Sequence, residues 1–241
     1  MSERPKWWAE DDKLLPDPPF IRKIAEDLWE GSLTLILGGM VLLTLGLALV
    51  YVVLTLSTPL GIALATFSLA PLVAGLMAAT ARAAKGGFLR LSYAVQGVPH
   101  LYWRSVALAA PLTIWLVTFL ITSKMMELNA DNLMLFVSWG TQVGFGITLA
   151  AFHIYLLPVL ALRDSSLIET LRLATALIVK FIWQTMVLAA VGIVLLALTT
   201  LHPLVWLFVP GVWCVIVTNA TWRMSKRLVI VDEETEKPKG E

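Results

Sequence analysis

An all-α fold is predicted for this chain: a polytopic membrane helical bundle with six transmembrane helices and short interfacial helices. Its composition is 58% hydrophobic and 15% charged, and the apolar residues collect in blocks near the length needed to cross about 30 Å of hydrocarbon. In a six-span arrangement the basic residues near those blocks sort to one side. Arg22, Lys23, Arg82, Lys85, Arg90, Arg104, Arg163, Arg172, Lys180, Arg223, Lys226 and Arg227 fall together, and Lys124 alone falls opposite. Retention of Lys and Arg in the cytoplasm then makes this a multi-pass protein of the cell membrane with N and C termini cytoplasmic. A five-span count strands an early or a late basic group outside.

The order of elements follows from local chemistry. The first 19 residues are charged and include Pro16, Pro18 and Pro19, with no apolar stretch after a basic leader, so no cleavable signal peptide is expected there. Phe20, Ile21, Ile24, Ala25 and Leu28 recur at helical spacing while Arg22, Lys23, Glu26, Asp27 and Glu30 take other directions. That pattern suits a short interfacial helix. The expected division is a cytoplasmic extension with interfacial helix over 1–31, a six-span membrane domain over 32–222, and a charged cytoplasmic tail over 223–241.

The six spans are expected near Ser32 to Ser57, Pro59 to Thr80, Ser105 to Ser123, Leu133 to Leu162, Phe181 to Thr200 and Pro203 to Asn219. The first two are joined by little more than Ser57, Thr58 and Pro59, which demands a tight antiparallel hairpin. Pro71 in the second span removes a helical hydrogen bond beside Ala74 and Gly75, small residues that let another helix come close. The segment from Arg82 to Arg104 reads as the largest internal loop, with Gly86 and Gly87 interrupting it and Phe88, Leu89, Leu91 and Tyr93 lying on the membrane surface. After the fourth span, Ser166 followed by Glu169 has capping-box spacing. A helix beginning there is expected to run through Arg172 and Lys180 into the fifth span.

Polar side chains inside the apolar runs are the candidates for a membrane site. His153 stands among Phe152, Ile154, Tyr155 and Leu156, and Gln142, Gln184 and Asn219 are the further polar groups in or near spans. A charged imidazole is costly in hydrocarbon, so hydrogen bonding of the neutral form between helices leads, with a polar passage as the rival reading. Arg82, Lys85, Arg90 and Arg104, in a segment without acidic residues, are the expected contacts to anionic membrane lipids. His100 beside them reads as a surface or headgroup residue. The single Cys214 reads as a small buried hydrophobe. The histidines are scattered, and neither a metal-ligand spacing, a phosphate-binding Gly-rich motif nor a nucleophile elbow stands out, so no cofactor and no catalytic residues are expected. A net charge of +1, without basic residues interleaved with aromatics, gives no reason to expect a nucleic-acid partner.

The stretches Ala70-Pro71-Leu72-Val73-Ala74-Gly75-Leu76, Phe88 to Arg104, and Leu157-Pro158-Val159-Leu160-Ala161-Leu162-Arg163-Asp164-Ser165-Ser166 resemble the YesL-like membrane proteins, also described as the domain-of-unknown-function 624 family. The resemblance runs from Gly31 to Val231. It implies an accessory role near bacterial carbohydrate uptake or use and transfers no catalytic residues. The charged extension and the acidic tail from Asp232 depart from that pattern. The expected function is therefore a non-enzymatic integral membrane accessory or assembly protein, working with a membrane transport-system protein or as a homo-oligomer. The alternative is a small-solute transporter or channel using a polar interhelical route, and a membrane enzyme built on His100 and His153 ranks third.

Overall fold

The computed structural model describes residues 19–55, 58–129, 132–201 and 203–236. The charged extension before Pro19, Ser57, Asp131, His202 and the last five residues of the tail lie outside the described residues. Eight α-helices and one short 3-10 turn make up the described fold: α1 (Phe20–Glu30), α2 (Ser32–Thr55), α3 (Thr58–Ala84), α4 (Leu91–Leu128), α5 (Leu133–Arg163), α6 (Leu167–Lys180), α7 (Ile182–Leu201), the 3-10 turn Pro203–Leu207, and α8 (Val209–Glu236). Six of them, α2, α3, α4, α5, α7 and α8, are long and apolar enough to cross a bilayer, which makes the chain a multi-pass membrane protein.

The bundle has an inside and a lipid face. Leu101, Tyr155, Leu160, Leu177, Val215 and Val217 are fully buried between helices, whereas Ile114, Phe136, Ile147, Val187 and Ile193 stand exposed. In water such a surface would aggregate, and in hydrocarbon it is the solvated face. Helix pairing is consequently selected by shape and small residues. A close approach lies where α3 meets α4: a β-carbon placed on Gly97 would fall 2.7 Å from Ala78 Cβ and 3.2 Å from Gly75 Cα. Only a hydrogen fits there.

That contact explains the largest departure from the sequence reading. The stretch from Arg82 to Arg104 is mostly helix, and the connection between α3 and α4 is confined to residues 85–90. Gly86 supplies the turn with φ of 102°, and Gly87 N donates to Arg82 O at 3.0 Å. α4 then runs for 38 residues, about 57 Å at 1.5 Å per residue, through Pro99 and Pro111. It therefore extends well past the hydrocarbon. Ala94, Gly97 and Leu101 are buried in this first part of α4, so packing on α3 holds as helix a segment whose Gly and Pro content argues locally for a loop.

A second difference lies at α6. Ser166 Oγ accepts from Glu169 N at 3.3 Å, as the capping spacing predicts. The helix does not run on into the next span, because Phe181 (φ −121°, ψ 43°) closes α6 and α7 starts at Ile182. With Ala174 and Leu177 buried and Ile168 and Val179 exposed, α6 is a separate amphipathic segment.

Candidate functional site

Four polar clusters join helices at different places in the bundle. The first fixes α1. Phe20, Ile24, Leu28 and Gly31 share one helical stripe with Asp27, which is 3% exposed. Lys23 Nζ lies 2.7 Å from Asp27 Oδ1, and Asn219 Nδ2 of α8 donates to Asp27 Oδ2 at 3.0 Å. The carboxylate thus enters the bundle with a cation on its own helix and an amide from the last span. Ile21 and Trp29, 81% and 84% exposed, face outward on the same helix, which gives α1 one face for the bundle and another for the membrane surface.

The second cluster closes the corner between α5 and α6. Asp164 caps α5 in the left-handed conformation (φ 49°, ψ 37°), a conformation Asp tolerates better than most residues, and its N–H donates to Leu160 O at 2.9 Å. Its side chain is 5% exposed and receives His100 Nε2 at 3.0 Å and Arg104 Nη1 at 2.6 Å. His100 and Arg104 are one turn apart on α4 and meet the acid together. His100 is therefore an interhelical partner of a buried carboxylate, where the sequence reading made it a surface residue. Ser165 and Thr170 share a hydrogen bond of 2.8 Å just beyond the corner.

The third cluster contains His153. Nδ1 lies 2.8 Å from Leu149 O and Nε2 lies 3.1 Å from Leu108 O, so one ring nitrogen faces its own helix and the other faces α4. A neutral imidazole donates from one nitrogen only, and the tautomer decides which carbonyl receives the proton. Two residues on, Tyr155 Oη and Thr185 Oγ1 are 2.8 Å apart across α5 and α7.

The fourth cluster is nearer the opposite end. Gln142 Nε2 donates to Thr122 Oγ1 at 2.8 Å, and Trp115 Nε1 donates to Gln142 O at 2.8 Å. Among the described residues, Gln142 Oε1 is buried without a hydrogen-bond partner. A groove of about 300 Å³ lies beside it, lined by Trp115, Phe119, Val143, Gly146, Ile147 and Ala150. Every one of those side chains is apolar.

The four sequence candidates consequently go to separate places. Gln142 and His153 stand about 16 Å apart along α5 at 1.5 Å per residue, Asn219 is occupied with Asp27 and with Val215 O at 3.0 Å, and Gln184 is exposed on α7. The basic candidates all lie toward the end of the bundle that carries α1. Arg82 lies over Tyr93 at 4.8 Å, Lys85 over Trp222 at 5.6 Å and Arg90 over Phe88 at 5.8 Å, while Arg104 binds Asp164. The sequence reading turned Asp27 away from the apolar stripe and passed over Asp164, whereas both carboxylates are buried interhelical partners. A signal for Asp27 was present, since it occupies the same stripe as Phe20, Ile24, Leu28 and Gly31; nothing local distinguishes Asp164 from an ordinary loop acid.

Among the described residues no group of three or more His, Cys, Asp or Glu is arranged to hold a metal ion. The chain matches no family model, no curated protein and no solved structure.

Proposed function

We propose that this chain is an integral membrane accessory or assembly protein of the cell membrane, oriented with both termini in the cytoplasm and serving bacterial carbohydrate uptake through a membrane transport-system partner. The carbohydrate setting rests on the resemblance of Ala70 to Leu76, Phe88 to Arg104 and Leu157 to Ser166 to YesL-like proteins. One observation favours an accessory role over a transporter: the polar groups at Asn219, His153 and Gln142 are engaged in separate interhelical contacts at different places. A transport route needs them in one line. The groove beside Gln142, the starting point for a transporter reading, is lined by apolar side chains.

Two measurements test this together. The purified chain in sealed liposomes is expected to move none of a panel of ions, sugars and small metabolites, and gentle solubilisation of native membranes is expected to yield it in fixed stoichiometry with a membrane transport protein. Solute flux through the chain alone would replace this reading with the transporter one. Recovery only as a monomer or homo-oligomer, while known complexes in the same extract survive, would remove the partner.

A further inference from the structure

We propose that the groove between α4 and α5 binds a membrane-soluble phenol, whose ring lies against Trp115 and Phe119 and whose hydroxyl donates to Gln142 Oε1. The antiparallel register of the two helices brings these groups together. Trp139 Nε1 donates to Ser123 Oγ at 3.2 Å, Gln142 Nε2 to Thr122 Oγ1 at 2.8 Å, and Trp115 Nε1 to Gln142 O at 2.8 Å. Trp115 and Phe119 stack with centroids 5.4 Å apart and planes 22° from parallel. Gly146, one turn after Gln142, is buried under the Trp115 indole, where any β-carbon would clash. Ile147 is 68% exposed and Ala150 is exposed beside it, so the groove opens sideways to the hydrocarbon.

The chemistry of the ligand follows from one unmet acceptor beside an apolar wall. Gln142 Nε2 has Thr122 and, at 3.4 Å, Ser138 Oγ, and Gln142 O has Trp115, but among the described residues Oε1 has no partner. A buried acceptor without a donor is costly. A water does not resolve it, because a held water needs two or more polar partners and the groove is lined only by apolar groups. A hydroxyl carried on an apolar body meets both demands. The groove, about 300 Å³, has twice the volume of a cavity that holds benzene, about 150 Å³. It accommodates two fused rings and is too small to enclose a sterol. Gln142 is nine residues from Leu133 at the start of α5, about 13 Å at 1.5 Å per residue, which is deeper than a glycerolipid hydroxyl held at the headgroup level. The last torsion of a glutamine side chain is soft, so a small turn points Oε1 at a donor in the groove. Such a ligand enters from the bilayer and needs no route across it, so the site is independent of the accessory role.

The test is calorimetric titration of the full chain in detergent micelles with β-naphthol, after subtraction of the heat of partitioning into protein-free micelles. One saturable site is expected. The methyl ether of β-naphthol has the same rings and an oxygen that cannot donate, and is expected to bind about fivefold more weakly. In Gln142→Leu, β-naphthol should fall to the affinity of the ether while the ether itself is unchanged. Ala150→Phe fills the groove and should weaken both ligands at least about tenfold, whereas Val194→Phe, which adds the same ring to the exposed face of α7, should leave both as they were. Should Gln142→Leu fail to fold, the two ligands compared on the wild-type chain and on Ala150→Phe still decide. Heats no larger than those of protein-free micelles, equal affinities for the phenol and the ether, a preference that survives Gln142→Leu, or equal effects of Ala150→Phe and Val194→Phe would each overturn the assignment.

Discussion

Asp164 ties α4 to the end of α5 through one carboxylate, and its replacement separates charge from backbone geometry. The side chain is 5% exposed, His100 is 17% exposed and Arg104 36%. Breaking a fully buried pair costs about 3 to 5 kcal/mol, but water reaches Arg104 and takes over part of the lost interaction, which pulls the figure down. Asp164→Asn keeps the size and the tolerance for φ of 49° while removing the charge, and is expected to lose about 2 kcal/mol. Asp164→Ala loses the same contacts and adds about 1 kcal/mol, because alanine lacks the short polar side chain with which Asp and Asn settle in the left-handed region. Asp164→Gly loses the contacts without that backbone term and should come close to the asparagine variant. The assay is reversible unfolding in mixed micelles, followed by far-UV circular dichroism. A double-mutant cycle of Asp164→Asn with Arg104→Gln should give a coupling of roughly 1 kcal/mol. Wild-type stability in Asp164→Asn, together with no coupling to Arg104, would refute the account of this corner.

Other positions give distinct expectations. Gly97→Val forces a side chain against Ala78 and Gly75 and should cost at least about 2 kcal/mol in the same unfolding assay, whereas Gly140→Val, with nothing near its missing β-carbon, should be neutral; equal effects would disprove the close approach of α3 and α4. His153→Leu leaves Leu108 O without its imidazole partner and should lower stability by about 0.6 kcal/mol, with 2 as a ceiling, and a large functional loss at unchanged stability would instead place His153 on a ligand or proton route. Impermeant thiol reagents applied to intact cells should label Thr58→Cys and Asn129→Cys but not Ser92→Cys or Ser166→Cys, with the buried native Cys214 silent; the reverse pattern would invert the orientation.

Hydrophobicity is a property of consecutive residues, so the spans were legible in the sequence. Leu133 to Leu162 is α5 to within a residue, and Phe181 to Thr200 matches α7 with a shift of one at each end. The interfacial helix before Gly31 and the Ser166 cap were legible for the same reason. Helix ends outside the hydrocarbon were harder to place. Gly86, Gly87, Gly97 and Pro99 all argue locally for a loop, and a helix forms from Leu91 because Gly97 fits against Gly75 and Ala78. The sixth span shows the converse. Pro203 to Leu207 is a 3-10 turn, and α8 continues past Asn219 to Glu236.

The sequence by itself determined that this chain crosses a membrane, how often, and which ends of the helices gather the positive charge. Each of those properties is summed over neighbours in the chain and needs no knowledge of contacts. Tertiary structure alone decided what the buried polar groups do. Asp27 and Asn219 are 192 residues apart, and Asp164 lies 64 from His100 and 60 from Arg104. A polar group removed from water needs a partner wherever the packing brings one, and in this bundle Asn219 and His153, two candidates for a shared passage, meet Asp27 and Leu108 instead of each other.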